Sequence, residues 1–208
     1  MHEFFSNLAV VDTHRDLRRN IVSLRESRNL FDDLSDDSDE QALAQQVESA
    51  VKPLQYRSPT PVIHRPFEEA EWFNAIGWPF HHWQSSRYSD GSFGAWYGAD
   101  NVEATVYETA YHWYHGLLLD AEGYTGEAVA IERRIYNVAC DALILDLRPR
   151  VGEFPALLHK TDYGFTHQVG ARLRREGHPG LVTPSVRYPA GLNYVVFNPA
   201  VLSAPRVN

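Results

Sequence analysis

Short runs rich in β-branched and aromatic residues, each fenced by proline or glycine, constrain the fold of this chain more than any other feature. "TPVIHRPF" (60–67) reads as a strand with prolines at both ends, and "SFGAWYGA" (92–99) as a buried strand flanked by glycine. "ALILDLRP" (142–149) is a strand halted by Pro149. "GLVTPSVR" (180–187) and "NYVVFNP" (193–199) close the chain as strands, with Pro184 placing a bulge or an edge in the first. Few helices intervene. "EEAEWFNAIG" (68–77) is a short helix ending at Gly77. "DNVEATVYETAYHWYHGLLLD" begins a helix with Asp100 as N-cap and Glu103 three residues on, a capping box with Asp in place of Ser or Thr. Val102, Val106, Ala110, Trp113 and Leu117 form its apolar stripe. "EAVAIERRIYNV" (127–138) places Val129, Ile131 and Ile135 on one face. "YGFTHQVGARLRREG" (163–177) is a helix with a basic last turn and Gly177 as C-cap. Strands interleaved with few helices predict an α+β fold with a compact mixed sheet.

The chain before Pro53 has a different texture. "HRDLRRNIVSLRES" (14–27) is charged and reads as a helix, and "DEQALAQQVESAV" (39–51) is built from good helix formers. Residues 1–53 are therefore expected to be an N-terminal helical extension, and 54–208 the main domain. The acidic run "FDDLSDDSDE" (31–40) is a solvated segment or a docking surface for a basic partner. One cysteine, Cys140, excludes an internal disulfide framework and fits a reducing cytoplasm. No basic stretch followed by an apolar run opens the chain, and no segment nears the roughly 18 apolar residues of a membrane span. Neither secretion nor a membrane location is expected. The net charge of −8 argues against general nucleic-acid binding. A few arginines in a cleft could still hold a small anion.

The residues with chemical potential concentrate in 85–112. Glu108 lies two turns into the helix, with Thr105, Tyr111 and His112 as its polar and aromatic neighbours. On helix statistics alone it is an exposed glutamate paired with His112. Arg87 precedes the turn-rich "SDGS" and presents a planar fork suited to phosphate or carboxylate, unless it is a plain surface arginine. Tyr97 sits in the apolar strand, where a core tyrosine is the ordinary reading. Ser185 follows Pro184 in a strand-like segment, outside any G-x-S-x-G elbow. His81 and His82 are adjacent and His112 and His115 three apart, without H-E-x-x-H or a cysteine cluster, so no metal is expected. "GSFGAWYG" lacks the dinucleotide-binding spacing.

Taken together these residues resemble the RES-domain family, toxins of bacterial toxin–antitoxin pairs named for Arg, Glu and Ser. Arg87 to Tyr97 is ten residues and Tyr97 to Glu108 eleven, as in that pattern. Late in the chain stands "TPSVRYPAGLNYVVFNP" with Ser185 and Asn193. The early strand offers Arg65 in "VIHRP", with Arg57 in "QYRSP" as a less strand-like rival. "SSRYSDGS" departs from the usual G-R-W-N-x-x-G turn, with Tyr88 for Trp and Ser89 for Asn. The likeness covers roughly residues 54 to 208.

The resemblance implies a fold akin to ADP-ribosyltransferases, with NAD+ as substrate rather than cofactor, and a helix-turn-helix antitoxin of Xre type that blocks the site. Glu108 would stabilise the oxocarbenium-like ribose formed when the nicotinamide bond breaks. Arg87, supported by Arg65, would bind the pyrophosphate. Tyr97, with a free hydroxyl, would wall the nicotinamide ribose; Ser185 would bond to the ribose or the amide. Asn193 and Tyr88 join them as substrate-binding candidates. NAD+ hydrolysis or phosphorolysis, ADP-ribosylation of a protein, and a catalytically dead nucleotide- or antitoxin-binding module all remain open, as does homo-oligomerisation.

Overall fold

The computed structural model describes residues 2–22, 70–119 and 130–208, with the isolated positions 40, 43, 126 and 128. The strand expected over 60–67, the helix over 39–51 and the acidic run but for Glu40 lie outside the described residues, as do Arg57 and Arg65.

The described chain begins with a short helix α1 (His2–Phe5) and a long strand β1 (Ala9–Val22). A helix of residues 70–81 follows, α2, which contains a π-helical turn over Phe73–Gly77. Then come β2 (Ser85–Ser86), β3 (Ser89–Asp90), β4 (Trp96–Ala99) and α3 (Val102–Trp113). The chain ends with β5 (Arg133–Asp146), α4 (Gly164–Arg175), β6 (Gly180–Pro184), β7 (Leu192–Val196) and β8 (Leu202–Val207). The architecture is the expected α+β arrangement of a mixed sheet with flanking helices.

Six strands are ordered β1-β4-β7-β6-β5-β8, and β1 also pairs with β5. Strand β1 therefore joins both ends of the β4-β7-β6-β5 run and rolls the sheet around on itself. Among the described strands only β5 and β6 run parallel. One core lies on the face carrying Leu17, Trp96, Tyr136, Val138, Ile144, Val182, Tyr194 and Val196, and α2 contributes Ala75 and Ile76 to it. The Trp96 indole N–H donates to the Ala75 carbonyl at 2.7 Å. A second core lies on the opposite face of β6 and β7, where Leu181 and Val195 meet Val169 and Leu173 of α4 and Tyr88 of the β2–β3 hairpin.

Several elements differ from expectation. Residues 14–22 are strand, not helix: Val11, Thr13, Leu17 and Ile21 alternate at period two, and Thr13 and Leu17 are buried. Pairing with β5 runs from Ala9↔Asp146 to Val22↔Arg133, and this sheet context overrides the helix propensity of the arginines and leucine. The boundary near residue 53 does not isolate an extension, because Met1–Val22 and Pro66–Asn208 belong to one compact unit. Residues 133–138 and 142–146 of the segments 127–138 and 142–149 merge into the single strand β5. Helix α2 runs through Gly77 to His81. Pro184 ends β6 instead of bulging it. Strand β8 was not anticipated.

Helix α4 positions the hairpin. A Cβ at Gly170 would come within 1.8 Å of the Tyr88 carbonyl oxygen, so only glycine permits this approach. The helix ends in a Schellman motif: His178 N–H donates to Leu173 O and Gly177 N–H to Arg174 O, with Gly177 at φ +80°.

Candidate active site

The site is built where α3 starts against β7. The N-cap of α3 is Asn101, whose side-chain oxygen accepts from Ala104 N–H at 2.7 Å. Asp100, expected as the cap, instead accepts from Leu192 N–H at 2.8 Å, while its own N–H donates to Leu192 O. The helix is thereby tied to the first residue of β7. The face it turns inward carries Ala104 and Thr105, with Glu108 half-buried one turn on; Val106 of the expected apolar stripe is 47% exposed. The polar face is the packed one.

Two turns into α3, Glu108 Oε1 accepts from Ser185 Oγ at 2.6 Å and from Asn193 Nδ2 at 2.7 Å. Nothing among the described residues bonds to Oε2. The Ser185 hydroxyl also accepts from the Arg187 and Tyr188 N–H groups at 3.2 and 3.1 Å. Those donors fill its acceptor side, so its proton is directed at Glu108. Ser185 is 3% exposed and acts as a fixed donor to the carboxylate. Glu108 is thus brought together with two residues that lie 77 and 85 positions later in the chain. Glu108 bonds to Ser185 and Asn193, not to His112.

The β2–β3 hairpin brings the second group. Pairing of Ser85↔Asp90 and Ser86↔Ser89 leaves Arg87 and Tyr88 as its two-residue turn. Tyr97 OH accepts from Tyr88 N–H and donates to Ser86 Oγ, both at 2.9 Å. Burial pushes this phenol well above its ordinary pKa, against those two bonds. The hydroxyl expected to be free for substrate is therefore spent on holding the hairpin. Tyr88, expected to touch substrate, is fully buried in the second core. Burial raises its phenol to about 12, partly offset by the Thr183 hydroxyl and by Arg87. Tyr88 contributes packing, not a binding surface.

Arg87 donates to the His159 carbonyl at 2.7 Å and lies over the Tyr163 ring at 4.5 Å. His112 lies one turn beyond Glu108 on α3, its pKa held below the ordinary value. Partial burial is the main cause; Glu108 opposes it, and Arg187, Arg87 and His115 reinforce it. Arg187 was missed at the sequence level, although it stands two residues after Ser185. Its guanidinium covers the Tyr111 ring at 3.3 Å, and its Nε is buried without a partner. Among the described residues no group of three His, Cys, Asp or Glu side chains could hold a metal ion. No helix there is long and apolar enough to cross a membrane.

A solved structure, the crystal structure of the M. tuberculosis MbcT–MbcA toxin–antitoxin complex, contains a chain with a similar fold. The TM-score is 0.50 at 14% identity, covering 100% of this chain and 90% of that one. Comparison with curated proteins returned no match. The family model described as the RES domain matches residues 55–208, which contain Glu108, Ser185 and Asn193 as well as the arginine hairpin. The chain belongs to the RES-domain family.

Proposed function

We propose that this protein is the toxin of a toxin–antitoxin pair and that it degrades NAD+ by cleaving the nicotinamide–ribose bond. The observation that carries the reading is the Glu108 carboxylate, with Oε1 fixed by Ser185 and Asn193 and Oε2 without a partner among the described residues. Loss of nicotinamide takes the bonding electron pair to the ring nitrogen and leaves positive charge on C1′ and the ring oxygen of the ribose. A carboxylate already fixed in place stabilises that charge without reorganising. Its open oxygen can also bond a ribose hydroxyl or orient the acceptor. Water as acceptor yields ADP-ribose, nicotinamide and a proton; inorganic phosphate yields ADP-ribose 1″-phosphate and nicotinamide.

Membership of the RES-domain family supports the reading, as does the likeness to a chain from a toxin–antitoxin complex. The proposed partner is a helix-turn-helix antitoxin of Xre type that covers the cleft. NAD+ enters as substrate, and the scheme requires no metal. Incubation with NAD+, with and without phosphate, followed by identification of products tests the proposal. Free ADP-ribose or its 1″-phosphate is the expected product. Intact NAD+ would overturn the reading, and ADP-ribose found only on protein would replace it with transferase chemistry.

A further inference from the structure

Arg87 and Arg187 come from opposite ends of the domain, yet they are held alike. Arg87 donates to the carbonyl of His159 at 2.7 Å and rests on the ring of Tyr163. Arg187 donates to the carbonyl of Lys160 at 2.5 Å and rests on the ring of Tyr111. His159 and Lys160 are consecutive, with Cα atoms about 3.8 Å apart, so two successive carbonyls of one segment anchor the two guanidinium groups. Each is half-buried and neither has a carboxylate partner among the described residues. That is unexpected in a chain with 27 acidic and 19 basic residues. Burying part of a charge without a counter-charge is costly. The anchoring contacts consume one N–H of each fork and leave the others unused, including the buried Arg187 Nε. Arg187 lies over Tyr111, one turn beyond Glu108 on α3, and stands two residues after Ser185, which bonds to Glu108.

We infer that Arg87 and Arg187 form a two-armed clamp for a diphosphate, one fork to each phosphate, with the successive His159 and Lys160 carbonyls setting their spacing. The inference rests on the NAD+ reading above and deepens it. Arg187 becomes the second pyrophosphate ligand, beside the one expected from sequence. Two arginines on aromatic faces suit a diphosphate better than a single phosphate, because each guanidinium offers a planar pair of donors to its own phosphate.

The test is calorimetric binding of two unreactive probes, ADP-ribose and AMP, to the full chain and its variants. Arg187→Ala should weaken ADP-ribose about 10- to 100-fold, the range expected for lost hydrogen bonds to a charged group. It should weaken AMP, which offers one phosphate, by a clearly smaller factor. Arg187→Lys keeps the stem over Tyr111 and the charge but loses the fork, so an intermediate loss is expected; this variant serves if the alanine variant fails to fold. Unchanged ADP-ribose affinity in a folded Arg187 variant would overturn the clamp and leave NAD+ cleavage standing. Equal losses for both probes would also overturn it, since Arg187 would not be reading the second phosphate. Arg187-dependent binding of ADP-ribose by a protein that leaves NAD+ intact would support the clamp and overturn the reaction. Failure of the wild-type chain to bind ADP-ribose would overturn the clamp at its root, while the product assay decides the reaction separately.

Discussion

Glu108 on α3 and Asp146 at the end of β5 are both carboxylates withdrawn from solvent, and the fold treats them in opposite ways. Asp146 receives Arg148 on both oxygens, at 2.8 and 2.7 Å, and also accepts the Arg148 backbone N–H at 3.0 Å. Its charge is neutralised where it stands, and the Arg148 bonds hold its pKa below the ordinary carboxylate range. Among the described residues, Glu108 receives two neutral donors on one oxygen and no cation in direct contact. Its charge is oriented but not neutralised, and one oxygen stays open. A carboxylate that completes the scaffold has its counter-ion built in. On the proposed function, Glu108 leaves that place for a transient cation.

The scaffold half of this contrast is most sharply probed by removing what Asp146 is built on. Strand β1 pairs with β5 along the whole of both strands and ends at Ala9↔Asp146. A chain beginning at Lys52 lacks β1 and leaves Trp96, Val138 and Ile144 without their neighbour Leu17. Losing the pairing and this buried face should abolish cooperative folding, read as loss of the thermal transition and of soluble protein. A soluble, folded chain of that length would mean that β1 is an appendage after all.

The next largest effect falls on the chemical half. Glu108→Gln keeps the shape of the side chain and removes its charge. NAD+ consumption should fall about 10²-fold or more, the scale of losing such a group. The melting temperature should barely move, because no ion pair is broken. Turnover at the wild-type rate by this variant would dissolve the distinction between the two carboxylates.

Part of the Glu108 cluster was legible in sequence: Glu108, Ser185 and Asn193 stand in segments that resemble the family pattern, and the fold brings the three together. Their roles were less legible. Nothing in "GAWYGA" indicates that the Tyr97 hydroxyl is consumed by the hairpin eleven residues earlier, since that bond exists only once β4 and the hairpin are packed together. Tyr88 looked like a substitute for a binding residue but is core, because Gly170 lets α4 press directly on it. Strand β1 was misread through its charges. Arg15 and Arg19 interrupt an otherwise regular alternation, and each finds its own acceptor, the Tyr194 hydroxyl and the Tyr97 carbonyl. Those acceptors are remote in sequence, so a period-two pattern looked like a charged helix.

Tyr97 extends the contrast to a neutral group. Tyr97→Phe leaves the buried Tyr88 N–H without its acceptor and Ser86 without its donor. A stability loss of about 1–3 kcal/mol is expected by chemical denaturation. The hairpin carrying Arg87 should loosen, raising KM for NAD+ while kcat changes little. A fall in kcat with unchanged KM and stability would place the hydroxyl in the chemistry instead of the scaffold.

The smallest effect is expected at Asp146 itself, and its sign with pH separates it from Glu108. Arg148 is 42% exposed at its side chain, so water screens the pair. Asp146→Asn should therefore cost no more than about 1 kcal/mol near neutral pH. NAD+ turnover should be unaffected, since Asp146 has no contact with the Glu108 cluster. Because the folded-state pKa of Asp146 is lowered, the pair's contribution is fully present above the unfolded value of about 3.9. It disappears as pH falls through the lower folded value, where the carboxylate takes up a proton and Arg148 loses its partner. Wild-type and Asp146→Asn stability curves should thus be separated at neutral pH and converge in acid, measured by denaturant midpoints across the range. A gap that persists undiminished in acid would mean that Asp146 stabilises the end of β5 by packing rather than by charge, and the two carboxylates would then differ in burial alone.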